Sequence, residues 1–133
     1  RPILAVAENY RPIKKALVAY SGSMESAKAL RHFLHLNPWP GVALHIVNFK
    51  EGPEKEPFLL KDAAEFCDAH GFEVKTDAVK GQARSDLLPF ARENNADLIV
   101  MGNSVNKALL KRLLADTVLD TIKSADRPLF LSQ

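Results

Sequence analysis

The run Asp97-Leu-Ile-Val-Met-Gly102 constrains this chain more than any other stretch. It is apolar without interruption where a half-exposed strand would alternate, so it reads as a strand buried on both faces. Strands of that kind belong to parallel sheets flanked by helices. The glycine at its end opens a turn where backbone approaches something closely. Ligands of open parallel sheets sit beyond the carboxyl ends of the strands, which makes the residues after position 102 candidates for binding.

Parallel strands need crossovers, and the rest of the chain supplies them. Residues 15–20 form a strand candidate, and Ser21-Gly-Ser23 turns out of it with Ser23 as the N-cap of a helix. Ala27, Leu30, Phe33 and Leu34 recur at helical steps, and Asn37-Pro-Trp-Pro-Gly41 stops the helix. Residues 42–49 are the next strand. A second helix covers 58–70, with Leu59, Ala63 and Phe66 facing inward and Gly71 ending it; residues 72–79 return as a strand. The third helix starts near Ser85, which places Pro89 in its first turn where a missing N–H costs little, and Leu88 and Ala91 face inward. After the run at 97–102, residues 107–114 can wind a turn or two, a last helix begins at Asp116 or Thr117, and 128–131 is the closing strand. This alternation predicts an α/β fold, a doubly wound five-stranded parallel sheet.

Length and composition narrow the function classes. At 133 residues, this is one domain with a real core. Eighteen Lys and Arg stand against 16 Asp and Glu, a net charge of +2 spread along the chain, which gives no electrostatic footprint for nucleic acid. The single cysteine, Cys67, has no internal disulfide partner, and no apolar run reaches the ~18 residues of a membrane span. The expectation is a soluble, cytoplasmic protein with no membrane partner.

The two ends resemble each other. Arg1-Pro-Ile-Leu-Ala-Val6 and Arg127-Pro-Leu-Phe-Leu-Ser132 share an Arg-Pro start and an apolar run. Residues 1–12 are therefore an N-terminal strand and linker, either the end of a preceding related domain or an unrelated arm, and 13–133 are the domain. The lack of an initiator Met adds the expectation of a longer parent chain.

Catalytic chemistry finds little footing. His32 and His35 are three apart on one helix but have no spaced Cys or carboxylate partner, so no metal is expected. His45 reads as a packed strand residue, His70 as a cation in a helix's last turn, and Cys67 as an inert half-buried thiol. Ser21 and Ser23 lie where a nucleophile could sit, yet no histidine is placed to activate them, and helix capping accounts for them better. No phosphate-binding Gly-x4-Gly-Lys-Ser/Thr loop, Gly-x-Gly-x-x-Gly turn or Gly-x-Ser-x-Gly elbow occurs.

Four pieces together resemble the universal stress protein domain: Val18-Ala-Tyr-Ser-Gly-Ser23 with Ala29-Leu30, Val79-Lys-Gly81, Ala96-Asp-Leu-Ile-Val-Met-Gly102, and the closing strand after Arg127-Pro128. The resemblance spans about residues 13–133. It implies a Rossmann-like sheet of strand order 3-2-1-4-5 and a homodimer along the last strand, and the family includes proteins with two such domains in tandem.

Some members of that family bind ATP through an Asp after the first strand and Gly-x2-Gly-x9-Gly-Ser/Thr after the fourth. Glycines let backbone N–H groups crowd a phosphate, and a hydroxyl and a helix N-terminus add to them. Here Gly102 matches the first glycine, while Val105, Ala115 and Asp116 stand at the next three signature positions and Ser21 replaces the Asp. A β-branched residue at a positive-φ position costs roughly 1–2 kcal/mol. A carboxylate about 4 Å from a phosphate charge costs about 1 kcal/mol in water and about 4 at a surface-like effective dielectric.

The resemblance and the degraded signature together suggest a non-enzymatic stress-response domain that dimerises and docks unknown protein partners, with nucleotide binding lost or weak and no cofactor expected. Its docking residues would be those of two edge strands, Ile3, Leu4 and Val6 and Leu129, Phe130 and Leu131, which present unpaired backbone groups. The alternative is an ATP-binding sensor with a rearranged loop, using Ser21, Gly22, Ser23, Gly102, Asn103 and Ser104 as donors. Lys107, Lys111 and Arg112 could hold an anion by charge, or line the solvated face of a short helix. A third reading is a small-molecule or anion carrier using the cleft above the first and fourth strands.

Overall fold

The computed structural model describes residues 2–5, 12–50, 58–102 and 127–132. In chain order its elements are β1 (Pro2–Ala5), β2 (Lys15–Ala19), α1 (Met24–Leu36), β3 (Ala43–Lys50), α2 (Leu59–Ala69), β4 (Val74–Lys80), α3 (Ala83–Glu93), β5 (Leu98–Gly102) and β6 (Leu129–Ser132). They build one sheet in the order β1-β6-β5-β2-β3-β4. From β2 onward the strands are parallel, in the 3-2-1-4-5 order that the resemblance implies.

The sheet is buried where the sequence is continuously apolar. Ala16, Leu17 and Val18 of β2 and Leu98, Ile99 and Val100 of β5 are fully buried, because helices cover both faces. On one face α1 and α2 set Leu30, Phe33, Leu34, Leu60, Ala63 and Cys67 against Ile46 and Phe130. On the other, Leu87 and Ala91 of α3 pack on Leu17, Val47, Ile99 and Met101. Burying side chains of this size stabilises by about 1.5–3 kcal/mol each. Phe33 and Phe130 meet edge to face at 5.3 Å, which joins α1 to the last strand.

Two helices differ from expectation in detail. The inner face of α2 is Leu60, Ala63 and Cys67, one residue round from the expected Leu59, Ala63 and Phe66. The small thiol lets the helix approach the sheet closely, while Phe66 turns outward and meets the ring of His70 at a tilt, 4.4 Å between centroids. Helix α3 begins after Gln82, not near Ser85, so Pro89 lies inside it. The Asp86 carboxylate reaches back to accept the Gln82 backbone N–H at 2.8 Å, and this cap fixes the earlier start. The last-helix expectation falls on residues outside those described.

The largest correction concerns the edges. β1 pairs antiparallel with β6, Ile3 opposite Leu131, Leu4 opposite Phe130 and Ala5 opposite Leu129. The strands expected to be two unpaired edges, Ile3 and Leu4 on one and Leu129, Phe130 and Leu131 on the other, therefore satisfy each other, and β6 is bonded on both sides. An apolar edge with a matching strand tethered nearby is quenched by pairing. Val6 lies outside the described residues.

The amino ends of the strands are tied down by charge. Asp97 accepts the backbone N–H groups of Lys14 and Lys15 at 3.0 Å each, Lys15 Nζ donates to the Asn94 carbonyl, and buried Arg127 donates from Nε to the Ala96 carbonyl at 2.7 Å. These contacts serve the fold and leave the carboxyl ends for a site.

Candidate functional site

At the carboxyl end of β2, the chain turns through Ser21, Gly22 and Ser23 into α1. Gly22 has φ of +86°, a conformation that a side chain would strain. Ser23 is the N-cap, as expected: its hydroxyl accepts the Ser26 N–H at 3.2 Å. Ser21 Oγ accepts the Ser23 N–H at 3.2 Å and lies 3.0 Å from Ser23 Oγ. Ser26, fully buried, donates its hydroxyl to the Ser23 carbonyl at 2.9 Å and approaches Ser21 Oγ at 3.4 Å. Three hydroxyls thus close the turn on itself.

Gly102 comes to the same place from β5. A Cβ there would lie 2.5 Å from the Glu25 carbonyl oxygen and 2.8 Å from the Ser26 nitrogen. The missing side chain is what lets the first turn of α1 lie against β5, so this glycine has a packing duty independent of any phosphate. Ser21, Gly22, Ser23 and Gly102 are therefore brought together at one end of the sheet. Asn103 and Ser104, with Val105, Lys107, Lys111, Arg112, Ala115 and Asp116, lie outside the described residues.

Two residues that shape this end were missed. Leu59, from the start of α2, reaches over the turn; a Cβ on Gly22 would lie 2.7 Å from one of its methyl carbons. Glu25 stands in the first turn of α1, where its charge complements the helix dipole. A phosphate charge about 8 Å from that carboxylate would be repelled by roughly 2 kcal/mol at an effective dielectric of about 20. An apolar side chain over the glycine and an acid on the helix start both work against an anion.

Among the described residues, a cleft lies between α1 and α2 beside Tyr20. It holds about 220 Å³ and is lined by Tyr20, Leu30, Arg31, Asp62 and Phe66, with Ala27 and Ala63 between them.

His45, His32, His70 and Cys67 are engaged in local contacts. His45 is buried, its Nε2 is 2.6 Å from Asp77 Oδ2 on the adjacent strand, and its ring lies against Phe90. His32 Nδ1 is 2.5 Å from Ser132 Oγ, which fastens α1 to β6. His70 Nδ1 contacts the Phe66 carbonyl oxygen at 2.8 Å. Cys67 is wholly buried, more than expected, and burial pushes its thiol from 9.0 up to about 11. Among the described residues, no three His, Cys, Asp or Glu side chains are grouped to hold a metal. None of their helices is long and apolar enough to cross a membrane.

A doubly wound parallel sheet with helices on both faces and a serine-glycine turn at its carboxyl end defines a Rossmann-like α/β domain. The chain belongs to the universal stress protein family, whose model matches residues 53–132. It is similar to a universal stress protein of Synechocystis sp., 22% identical over 130 residues, covering 96% of this chain and 45% of the relative. The structure of a universal stress protein from Archaeoglobus fulgidus aligns with a TM-score of 0.72 at 24% identity, covering 99% of this chain and 49% of that one. A universal stress protein in complex with cAMP aligns with a TM-score of 0.64 at 18% identity, covering 90% of this chain and 97% of that one. The chain thus spans about half the length of the Synechocystis and Archaeoglobus relatives.

Proposed function

We propose that this domain is a non-catalytic stress-response module of the cytoplasm that works by joining its sheet edge to other protein, with nucleotide binding lost or weak. The observation that carries the reading is the closed turn at the end of β2. Its hydroxyls bond one another and the local backbone, Leu59 covers its glycine, and Gly102 is spent on the close approach of α1. The substitutions Val105, Ala115 and Asp116 at the signature positions add to it. Among the described strands the apolar β1 ends the sheet beside β6, and this is the edge through which the domain associates, a homodimer or a related copy being the natural partner.

Titration calorimetry with Mg-ATP and with cAMP, after denatured protein has been checked for carried-over nucleotide, tests this directly. The expected result is no heat and no carry-over. Binding tighter than about 10 μM, near −7 kcal/mol, would overturn it.

A second reading, a nucleotide sensor with a rearranged loop, draws support from the solved neighbour that holds cAMP. Ser21, Gly22, Ser23 and Gly102 would then be joined by Asn103 and Ser104 as donors. In this reading, replacing Glu25 with Gln strengthens nucleotide binding by relieving repulsion; in the first, it leaves calorimetry silent.

A further inference from the structure

Two short stripes of side chains face the cleft between α1 and α2. Ala27 and Arg31 lie one turn apart on α1, and Asp62 and Phe66 one turn apart on α2 with Ala63 beside them. The gap exists because alanine stands on both helices where a longer apolar side chain would have filled it. Tyr20, which follows β2 directly, is the wall nearest the sheet. Its backbone is fixed on both sides: the N–H donates to the Val47 carbonyl at 2.9 Å, and the carbonyl accepts from Asn48 Nδ2 at 2.9 Å. Phe66 is the outer wall, held by His70, whose ring meets it and whose Nδ1 lies 2.8 Å from the Phe66 carbonyl oxygen.

Charge sets this cleft apart. Arg31 and Asp62 line it with opposite signs, and among the described residues neither side chain takes part in an ion pair or hydrogen bond, with the other or with any neighbour. On the same helix Glu65 does reach Lys61, at 3.9 Å. A simple anion drawn by Arg31 meets the Asp62 carboxylate, and a simple cation drawn by Asp62 meets the Arg31 guanidinium. Only a molecule carrying both charges gains at both. The Arg31 fork suits a carboxylate, and an ammonium at Asp62 has the ring of Phe66 one turn away as a second attraction. Size narrows the choice further. The cleft's roughly 220 Å³ exceeds the about 150 Å³ that holds one benzene ring and falls short of the about 300 Å³ at which drug-sized pockets begin. Its occupant therefore has a single ring or a branched aliphatic body, and a nucleotide is both too large and of the wrong charge.

We propose that this cleft binds a free α-amino acid with an aliphatic or aromatic side chain. Arg31 takes the carboxylate, Asp62 takes the ammonium, and the side chain lies along Leu30, Ala27 and Ala63 between the rings of Tyr20 and Phe66. The ligand bridges α1 and α2, so its supply is read as the spacing of two helices that otherwise meet through alanines. None of Ser21, Gly22 and Ser23 lines the cleft. The proposal therefore goes beyond the docking and nucleotide readings above and fails separately from them.

The test uses the full-length protein, with L-leucine and L-phenylalanine as probes in titration calorimetry and thermal unfolding. At least one of them should bind with a Kd below about 1 mM and raise the Tm at saturation. The compounds 4-methylpentanoate and 3-methylbutylamine keep the body of leucine with one charge each, and glycine keeps both charges without the body; each should bind about tenfold more weakly or worse. Arg31→Gln and Asp62→Asn change exposed side chains outside the core, and each should weaken the better probe by about tenfold, or about 1.4 kcal/mol. Ala27→Leu should abolish binding by filling the gap. Saturating Mg-ATP should leave probe affinity unchanged, whether or not nucleotide binds. Silence from both probes at about 10 mM would overturn the proposal. So would undiminished binding by the Arg31→Gln and Asp62→Asn variants, equal binding of a single-charge analogue, or competition by Mg-ATP.

Discussion

The two outer strands, β4 and β1, end the sheet in different ways. Along β4, exposed Lys75, Ala78 and Lys80 alternate with half-buried Val74, Thr76 and Val79, and Asp77 reaches inward to buried His45. Exposed lysines and an inward-leaning acid are what soluble proteins use to stop a sheet from growing. β1 carries no charge between Pro2 and Ala5 and leaves Leu4 half exposed beside a buried β6. One edge is written as an end and the other as a continuation. The difference teaches that charge is spent on the β4 edge and not on β1, and that changes at the two strands should have unlike consequences.

The sharpest way to break the comparison is Phe130→Ala. Loss of the ring from a buried site against Phe33 should cost about 3–5 kcal/mol, seen as a large drop in the urea midpoint; a loss below about 1 kcal/mol would mean that β6 is not a core strand. At the opposite edge, Asp77→Ala leaves the buried Nε2 of His45 without its acceptor and should cost about 1–3 kcal/mol, and His45→Leu in the same background should recover part of it. Leu4→Ala in this 133-residue chain should cost about 1 kcal/mol, since only part of the side chain is covered. Lys75→Ile should move stability by no more than about 0.5 kcal/mol while producing concentration-dependent association in sedimentation. If that variant associates no further than the wild type, the lysines are not what finishes the β4 edge.

Much of this fold could be read from the residues. The uninterrupted apolar run at 98–102 demanded a sheet covered on both faces, and the helical spacing of Leu30, Phe33 and Leu34 located α1 with its cap at Ser23. The strand order came from the family resemblance, since alternation alone leaves several doubly wound orders open. The face of α2 was misread because Leu59, Leu60, Phe66 and Cys67 offer two overlapping stripes, and only contact with the sheet shows that the small thiol goes inside. α3 was started late because Asp86 caps from within the helix, four residues after the group that it satisfies. At the site, Ser21, Gly22, Ser23 and Gly102 were visible as a strand-end cluster. Leu59 and Glu25 were not, because each acts on a residue distant in sequence and owes its effect to how α2 and α1 dock.

The position of β6 also bears on how the chain is made. Of the described strands, β6 comes after all the others in the chain yet lies between β5 and β1, so a ribosome delivers β1 long before its partner exists. Until the final residues emerge, β5 and β1 both present open apolar edges, a window in which a chaperone or a wrong strand can take the place of β6. A nascent chain stalled before Leu129 should therefore be a holdase substrate, and emergence of the segment Leu129–Ser132 should end that status.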